Sequence, residues 1–347
     1  WMPGWTVEMQ SGHVDTLSAT LNCRRGGDTT SGPMTLCGNP SAATLPVLTF
    51  SNNSAGIVPR NSSQQYRDFS LVNTNATKTA SVGISVGGGA ECIVVERVKI
   101  ANQTNYFWKG LLVSNGAVFR SCKIGYCASF GVDMGALPSL LVNCEIHNCG
   151  SHGISCGNIY QGFVIFGCLI RSNGGDGINS GLYGVSSVSP TLIRSNTIYG
   201  NTGDGIEFTS NQLRTFAMVD VSNNILCSNG GYGVNLSGSG VGNAMLESYA
   251  FTMKNNAFYL NTSGKYNPST LTVSESEQTQ NPQFTNAAGG DFSIGENLKG
   301  KGYPLGGSLP IGKYGSTHSY VDPGAAQRQE AGGGSIIRPV GLGGGLV

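Results

Sequence analysis

The middle of this chain is built from one repeated unit of about two dozen residues. Aligning segments such as VFRSCKIGYCASFGVDM, LVNCEIHNCGSHGIS and LIRSNTIYGNTGDGIEF puts Cys122, Cys144, Cys168, Asn196 and Asn224 in one column. Five residues further on stand Cys127, Cys149, Asn173, Asn201 and Asn229, and nine residues on stand Gly131, Gly153, Gly177, Gly205 and Gly233. Val98 extends the first column backwards, and Asn256 with Asn261 extends the first two forwards, giving about seven units between Cys92 and Tyr266. A unit this short buries its apolar residues only against its neighbours, so the chain must be a solenoid or a propeller.

Each unit holds short runs of β-branched or aromatic residues, such as Leu140-Leu-Val142, Phe163-Val-Ile165 and Gly205-Ile-Glu-Phe208, separated by Asn/Gly clusters. These read as several short strands and tight turns per coil, with no helical period. The glycines are spaced 22, 24, 28 and 28 residues apart while their offset from the first column stays fixed, so insertions enter one loop on one side. A parallel β-helix satisfies all of this: equivalent residues stack about 4.8 Å apart, and stacked Asn amides bond to those above and below. The glycine column is expected to supply the positive φ of a tight corner. A column that changes from Cys to Asn suggests an interior or turn position of nearly constant size.

Residues 196–206, NTIYGNTGDGI, resemble the repeats of right-handed parallel β-helix proteins of the pectate-lyase-like superfamily. From Asn281, NPQFTNAAGGDFSIGENLKGKGYP followed by VDPGAAQRQE resembles the segment that closes the solenoid in secreted and viral members. The resemblance implies an all-β chain forming a single right-handed parallel β-helix. It does not choose among the lyases, hydrolases, epimerases, tailspikes, adhesins and structural proteins that share the architecture. The chain divides into an N-terminal cap with irregular first coils (1–90), a repeat body (91–266), closing coils (267–330) and a Gly-rich C-terminal arm (331–347).

Only 11% of the 347 residues are charged and the net charge is +1, which argues against nucleic acid as partner, since phosphate binding needs a basic surface. No apolar run reaches the length of a membrane span. The first residue is Trp1, so either a leader has been removed or the chain given begins partway in. Of ten cysteines, six lie in the repeats, where they are expected as buried thiols. Cys144, Cys149 and Cys156, with His147 and His152 near, lack the paired spacing of a zinc site. Cys23 and Cys37, outside the repeats, are the best disulfide candidates.

Asp176 and Asp204 share the column one residue before the glycine, about 5 Å apart in adjacent coils, with Glu207 on the following strand. Such carboxylates stabilise turns by accepting backbone amides, and they can equally hold Ca²⁺ or divide into acid and nucleophile. Lyases of the superfamily pair an acidic calcium cluster with a basic residue, a role for which Arg171 and Arg194, on strands near the two Asp, are the candidates. The N-x-D, D-D and G-H-G series of its hydrolases is missing, and His152-Gly153 alone is a weak signal.

A solenoid exposes strand edges at both ends. In the arm, Ser335, Ile336, Ile337, Arg338, Pro339 and Val340 form a strand-like run between glycine-rich hinges, which either folds back on its own solenoid or adds to a neighbouring copy. Trp1 and Trp5 read as an aromatic cap or contact patch. The chain therefore reads first as a non-enzymatic building block of an extracellular filament or of a cell- or virion-surface spike, assembling with copies of itself and needing no cofactor. The alternative is a polysaccharide-binding or polysaccharide-cleaving protein, with Ca²⁺ as possible cofactor, using the insertion-bearing side between Gly181 and Val241. There Tyr160, Tyr183, Tyr199 and Tyr232 would form a stacking platform.

Overall fold

The computed structural model describes residues 6–302, apart from 11, 13, 24–32, 40, 42–43, 78, 88, 136–137, 160–161, 183–189, 210–218, 238–250, 269–273 and 299, together with 323–325. Trp1, Trp5, Tyr160, Tyr183 and the arm with Ser335 to Val340 lie outside the described residues. Three parallel sheets of 11, 10 and 10 strands, here A, B and C, run the length of the molecule. Successive strands visit A, B and C in turn, which makes ten full coils and an eleventh strand, Ser274–Glu275, in sheet A. Residues 92–266 hold seven of these coils, and residues 6–86 hold three more in the same three sheets.

Register is set by inward columns of aliphatic residues. In sheet B, Ile124, Ile146, Ile170, Ile198, Leu226 and Phe258 stack in sequence, each buried. Sheet C stacks Val132, Ile154, Ile178, Ile206 and Val234 in the same way. A one-residue slip would turn these columns outward, so a period-two strand with one buried face admits a single register.

The two Cys/Asn columns first seen in the sequence occupy two of the three corners of each coil. Between sheets A and B, Asn196 donates its backbone N–H (3.0 Å) and its side-chain amide (3.0 Å) to Asn224 Oδ1. Asn224 repeats both bonds to Asn256, at 3.0 and 3.1 Å. Between sheets B and C, Asn173, Asn201, Asn229 and Asn261 form a second ladder of the same kind. Cysteine fits the first column for more than its size. Asn196 Nδ2 donates to the carbonyl of Ile165, and Cys168 Sγ points at the equivalent carbonyl one coil earlier, that of Leu141 (3.7 Å). The thiol thus replaces the amide as donor to the same acceptor column, and burial pushes the Cys168 thiol well up. All ten cysteines are free, Cys23 and Cys37 included; these two lie on strands in different sheets, C and A.

The glycine column does not turn the corners, contrary to the expectation from sequence. None of Gly131, Gly153, Gly177, Gly205 and Gly233 has a positive φ. The left-handed residues are those just before each ladder position, among them Ser121, Asn143, Ser195, Asn223 and Asn255, with φ of 53 to 57°. Asn and Ser tolerate that region because their side chains bond locally. The glycines are required by contact instead: a Cβ on Gly177 would sit 2.5 Å from Ile198 Cγ2 and 2.6 Å from the carbonyl of Gly205.

Residues 276–302 do not simply extend the solenoid but run back over the outer face of sheet B. Ile294 and Leu298 are buried with Ile225, Cys227 and Ala257, and Phe284 and Phe292 pack edge-on against Tyr199. Gly324 then donates to the carbonyl of Asn223 (2.6 Å), and the Ala325 amide to Thr197 Oγ1 (3.0 Å). Gly324, in the closing motif VDPGA, has φ of +92°, and a Cβ there would lie 2.6 Å from Ile225 Cδ1. Gly324→Ala should therefore release this contact at a cost of about 1–3 kcal/mol. Amide exchange at Ala325 should accelerate while the ladder amides of Asn196 and Asn224 stay protected; equal protection in variant and parent would contradict the assignment.

Candidate functional site

The outer face of sheet C carries a connected network of polar side chains. One column, in the position before the glycine, runs Lys109, Phe130, His152, Asp176, Asp204, Tyr232. A second, three residues further along each strand, runs Asp133, Ser155, Asn179, Glu207, Asn235, Asn267. The long connections of the later coils all leave from this side: strand Ile178–Leu182 is followed by Thr191–Arg194, and strand Ile206–Thr209 by Val219–Ser222.

The first column is itself a ladder. His152 Nδ1 accepts the Asp176 amide (3.0 Å), Asp176 Oδ1 accepts the Asp204 amide (2.7 Å), and Asp204 Oδ1 accepts the Tyr232 amide. A glycine precedes each of Asp176, Asp204 and Tyr232 because a Cβ would collide with these groups. On Gly203 it would lie 2.1 Å from Asp176 Oδ1, and on Gly231 2.0 Å from Asp204 Oδ1.

The second carboxylate oxygens meet the neighbouring column. Asn179 Nδ2 bridges Asp176 Oδ2 (2.8 Å) and Glu207 Oε2 (2.6 Å), Asn235 Nδ2 donates to Asp204 Oδ2 (2.8 Å), and Ser237 Oγ donates to Glu207 Oε1 (2.9 Å). Asp176, Asp204 and Glu207 each bring one oxygen within 4.8 Å of the others, the first two buried and Glu207 half-buried. Among the described residues these three are the group able to hold a divalent cation, and hard oxygen ligands suit calcium.

Their environments drive the three carboxyls apart. Burial works to raise Asp176, but bonds with His152, Asn179, the Asp204 amide and Glu207 outweigh it and hold the group down at about 2. Burial raises Asp204, only partly opposed by Asn235 and the Tyr232 amide, and the charge of Asp176 adds to the rise. Burial also raises Glu207, reinforced by its contact with Asp176. One carboxylate is thus held ionised beside two that retain protons more readily, the division of roles acid–base chemistry needs. His152 Nδ1 also lies 3.1 Å from Asp176 Oδ2; the neutral ring accepts the amide, and a protonated one would donate to the carboxylate. Its ring stacks on Phe130 at 5.7 Å, and Lys109, paired with Asp133 at 2.6 Å, lies over the same Phe130 ring at 5.4 Å.

Two sets of sequence candidates are not brought together here. Arg171 lies on sheet B, paired with Glu145 at 3.0 Å and over Phe292, and Arg194 lies on sheet A, paired with Asp220 at 2.6 Å. Both are close in sequence to Asp176 or Asp204, but the corner at Asn173 separates Arg171 from Asp176 and the corners at Asn196 and Asn201 separate Arg194 from Asp204, so neither faces the carboxylates. Tyr199 is packed under Phe284 and Phe292 on sheet B, which removes it from any platform with Tyr232. Conversely, Asn179 and Asn235 are partners of the carboxylates that no sequence motif marks, although the repeat alignment places them in Glu207's column.

Residues 56–249, more than half of the chain, match the family described as the right-handed beta helix region, and the protein belongs to that family. No curated protein sequence matches it. Among solved structures it is similar to the pectate lyase Pel9A, with 15% identity over 94% of this chain and 88% of that one and a TM-score of 0.68. It is also similar to the A-module of the Azotobacter vinelandii mannuronan C-5 epimerase AlgE6, with 16% identity over 80% and 88% and a TM-score of 0.53. At these identities the likeness is one of fold. No helix among the described residues is long and apolar enough to cross a membrane.

Proposed function

We propose that this protein acts on an extended extracellular or surface polysaccharide laid along the outer face of sheet C, with Asp176, Asp204 and Glu207 at the reacting point. The observation that carries this reading is the convergence of three carboxyls with opposed protonation tendencies on a solvent-facing sheet. From Lys109 to Tyr232 the first column rises five steps, about 24 Å, which suits a linear polymer better than a compact ligand. Phe130 and Tyr232, both half-buried, offer ring faces and edges on either side of the carboxyls. Glu207, the most accessible of the three, is the general acid and Asp176 the ionised partner; a calcium ion held by the same three oxygens would need Glu207 ionised, so the acid role belongs to the metal-free site. The printed substrates of the two similar structures, a pectate and a mannuronan, direct the first trials to acidic polysaccharides.

The test is release of reducing ends or unsaturated products from a panel of acidic and neutral polysaccharides, with and without Ca²⁺. Glu207→Gln and Asp176→Asn should each lower the rate about 10²–10⁴-fold, while Asp220→Asn on sheet A leaves it unchanged. Equal rates in all variants, or no cleavage of any polymer, would remove this reading.

A second reading has its own support: Asp176 and Asp204 each use one oxygen to hold the backbone of the next coil, as a purely architectural residue would. On that reading the chain is a non-enzymatic subunit of an extracellular filament or a virion-surface spike, assembling through its solenoid ends. Ordered oligomers in electron micrographs of an inactive protein would favour it.

A further inference from the structure

His152 carries more chemistry than its place in the ladder needs. Its Nδ1 accepts the Asp176 amide (3.0 Å), the task that Asp176 Oδ1 and Asp204 Oδ1 perform in the next two coils. A carboxylate or carboxamide oxygen therefore suffices for the architecture, and the second ring nitrogen, Nε2, is left over. We propose that His152 Nε2–H is a fixed donor which, with the Ser155 hydroxyl, binds an uncharged sugar residue of the polymer beside the carboxyls; this rests on the reading of sheet C as a polysaccharide face and narrows it.

The place of the proton follows from the partners. A neutral ring that accepts at Nδ1 holds its proton on Nε2, and a protonated ring holds one on each nitrogen. Donation from Nδ1 to Asp176 Oδ2, 3.1 Å away, needs the doubly protonated ring, since otherwise the Asp176 amide loses its acceptor. Nε2 is thus a donor in both charge states. The ring is also held in orientation, stacked on Phe130 with 10° between the planes. Its side chain nevertheless keeps 27% of its surface open, and Nε2 has no partner among the described residues.

The neighbouring column leaves a gap at the same level. In the next coil Asn179 crosses to Asp176 Oδ2 at 2.8 Å and closes it. Ser155 pairs with Asn179 in register, but its side chain is one atom shorter, and its hydroxyl has no partner among the described residues. A fixed donor and a free hydroxyl therefore face solvent together, the combination that reads the hydroxyl and ring oxygens of a sugar.

Charge decides the class of sugar. Asp176, held ionised, lies one coil along, and Asp133 one coil back. Lys109 is the one cation in the two columns, and Asp133 pairs with it at 2.6 Å. A sugar carboxylate at His152 would meet Asp176 at about 5 Å with no free cation to offset the repulsion, whereas a hydroxyl meets none. The residue bound here is uncharged, whatever the polymer carries further along. Glu207 lies two coils on, about 10 Å, so one chain touches both.

The test is NMR titration of the full-length protein, isotope-labelled at histidine, with neutral hexasaccharides of glucose, mannose and galactose and acidic ones of galacturonate and mannuronate. In the free protein, at mildly alkaline pH, Nε2 should be the protonated nitrogen of His152; a proton on Nδ1 alone overturns the proposal. At least one neutral hexasaccharide should bind and shift Nε2. His152→Asn keeps an oxygen for the Asp176 amide but removes the donor, and should weaken that binding about 3–10-fold, as loss of one hydrogen bond does. Ser155→Ala, which breaks no hydrogen bond of the fold, should weaken it similarly and keeps the test open if the first variant does not fold. Asp220→Asn should bind as the parent does. Unchanged affinity in both variants, binding of no neutral sugar, or equal His152-dependent binding of the acidic ones overturns the proposal, even where cleavage is observed. Neutral binding at His152 without cleavage supports it and removes only the catalytic reading.

Discussion

Asn224→Ala should be the most destabilising single exchange in the repeat body, at about 3–5 kcal/mol, because it strips partners from several buried groups at once. Asn224, Asn196 and Asn256 are fully buried. Without the Asn224 side chain the Asn196 backbone N–H loses its acceptor, the Ile193 carbonyl loses a donor at 2.8 Å, and Asn256 Oδ1 loses one of its two donors. Each stranded group costs about 1–3 kcal/mol, and the void adds to this. Asn224→Cys should lose less, because Cys168 already donates to the equivalent carbonyl from the same column. Asn297→Ala, at an exposed site with one bond to Asn281, should change stability by no more than about 0.5 kcal/mol. Urea unfolding of the three variants gives the ranking; an alanine variant within about 1 kcal/mol of the parent would show that the ladder does not hold the coils.

The contrast between Asn224 and the C-terminal segment shows where sequence is a good guide to such a fold. Stacking forces equivalent residues into columns, so Asn196, Asn224 and Asn256 carry their neighbours on their face, and the one-sided insertion appears as a changing gap between Gly153 and Gly233. The same columns placed Asp176 beside Asp204. What a column does not record is which of three faces a residue between columns occupies, and so Arg171 and Arg194 are assigned to the wrong side. Nor does it separate conformational from steric reasons for a glycine, since both leave the same letter at Gly177. Residues 6–86 lack the Asn columns, with Phe69 filling the first corner position as Val98 does in the next coil, and their three coils are correspondingly hard to read. Residues 276–302 look like closing coils because their motifs are short, whereas the apolar outer row of Ile225, Cys227 and Ala257 decides where Ile294 and Leu298 must go.

The acidic cluster should leave its signature on stability as pH falls. Asp176 is lowered on folding, from the ordinary 3.8 to about 2, so its contribution is full above pH 3.8 and is lost as pH falls towards 2. Allowing for solvent screening, it is worth on the order of 1–2 kcal/mol. Asp204 and Glu207 are raised, so each opposes folding at neutral pH, and this penalty lifts as pH falls through their folded values. Against the background titration of the other groups, Glu207→Gln should therefore gain stability over the parent at neutral pH and lose that advantage in mild acid. Asp176→Asn should be destabilised at neutral pH and converge on the parent as pH falls to about 2. Urea midpoints measured at half-unit steps of pH separate the two cases; parallel curves for all three proteins would mean that the carboxyls do not interact. If Glu207 is the acid of a cleavage reaction, activity must fall as pH rises through its raised value, so the alkaline limb of a rate profile and the pH dependence of the Glu207→Gln stability difference should report the same ionisation.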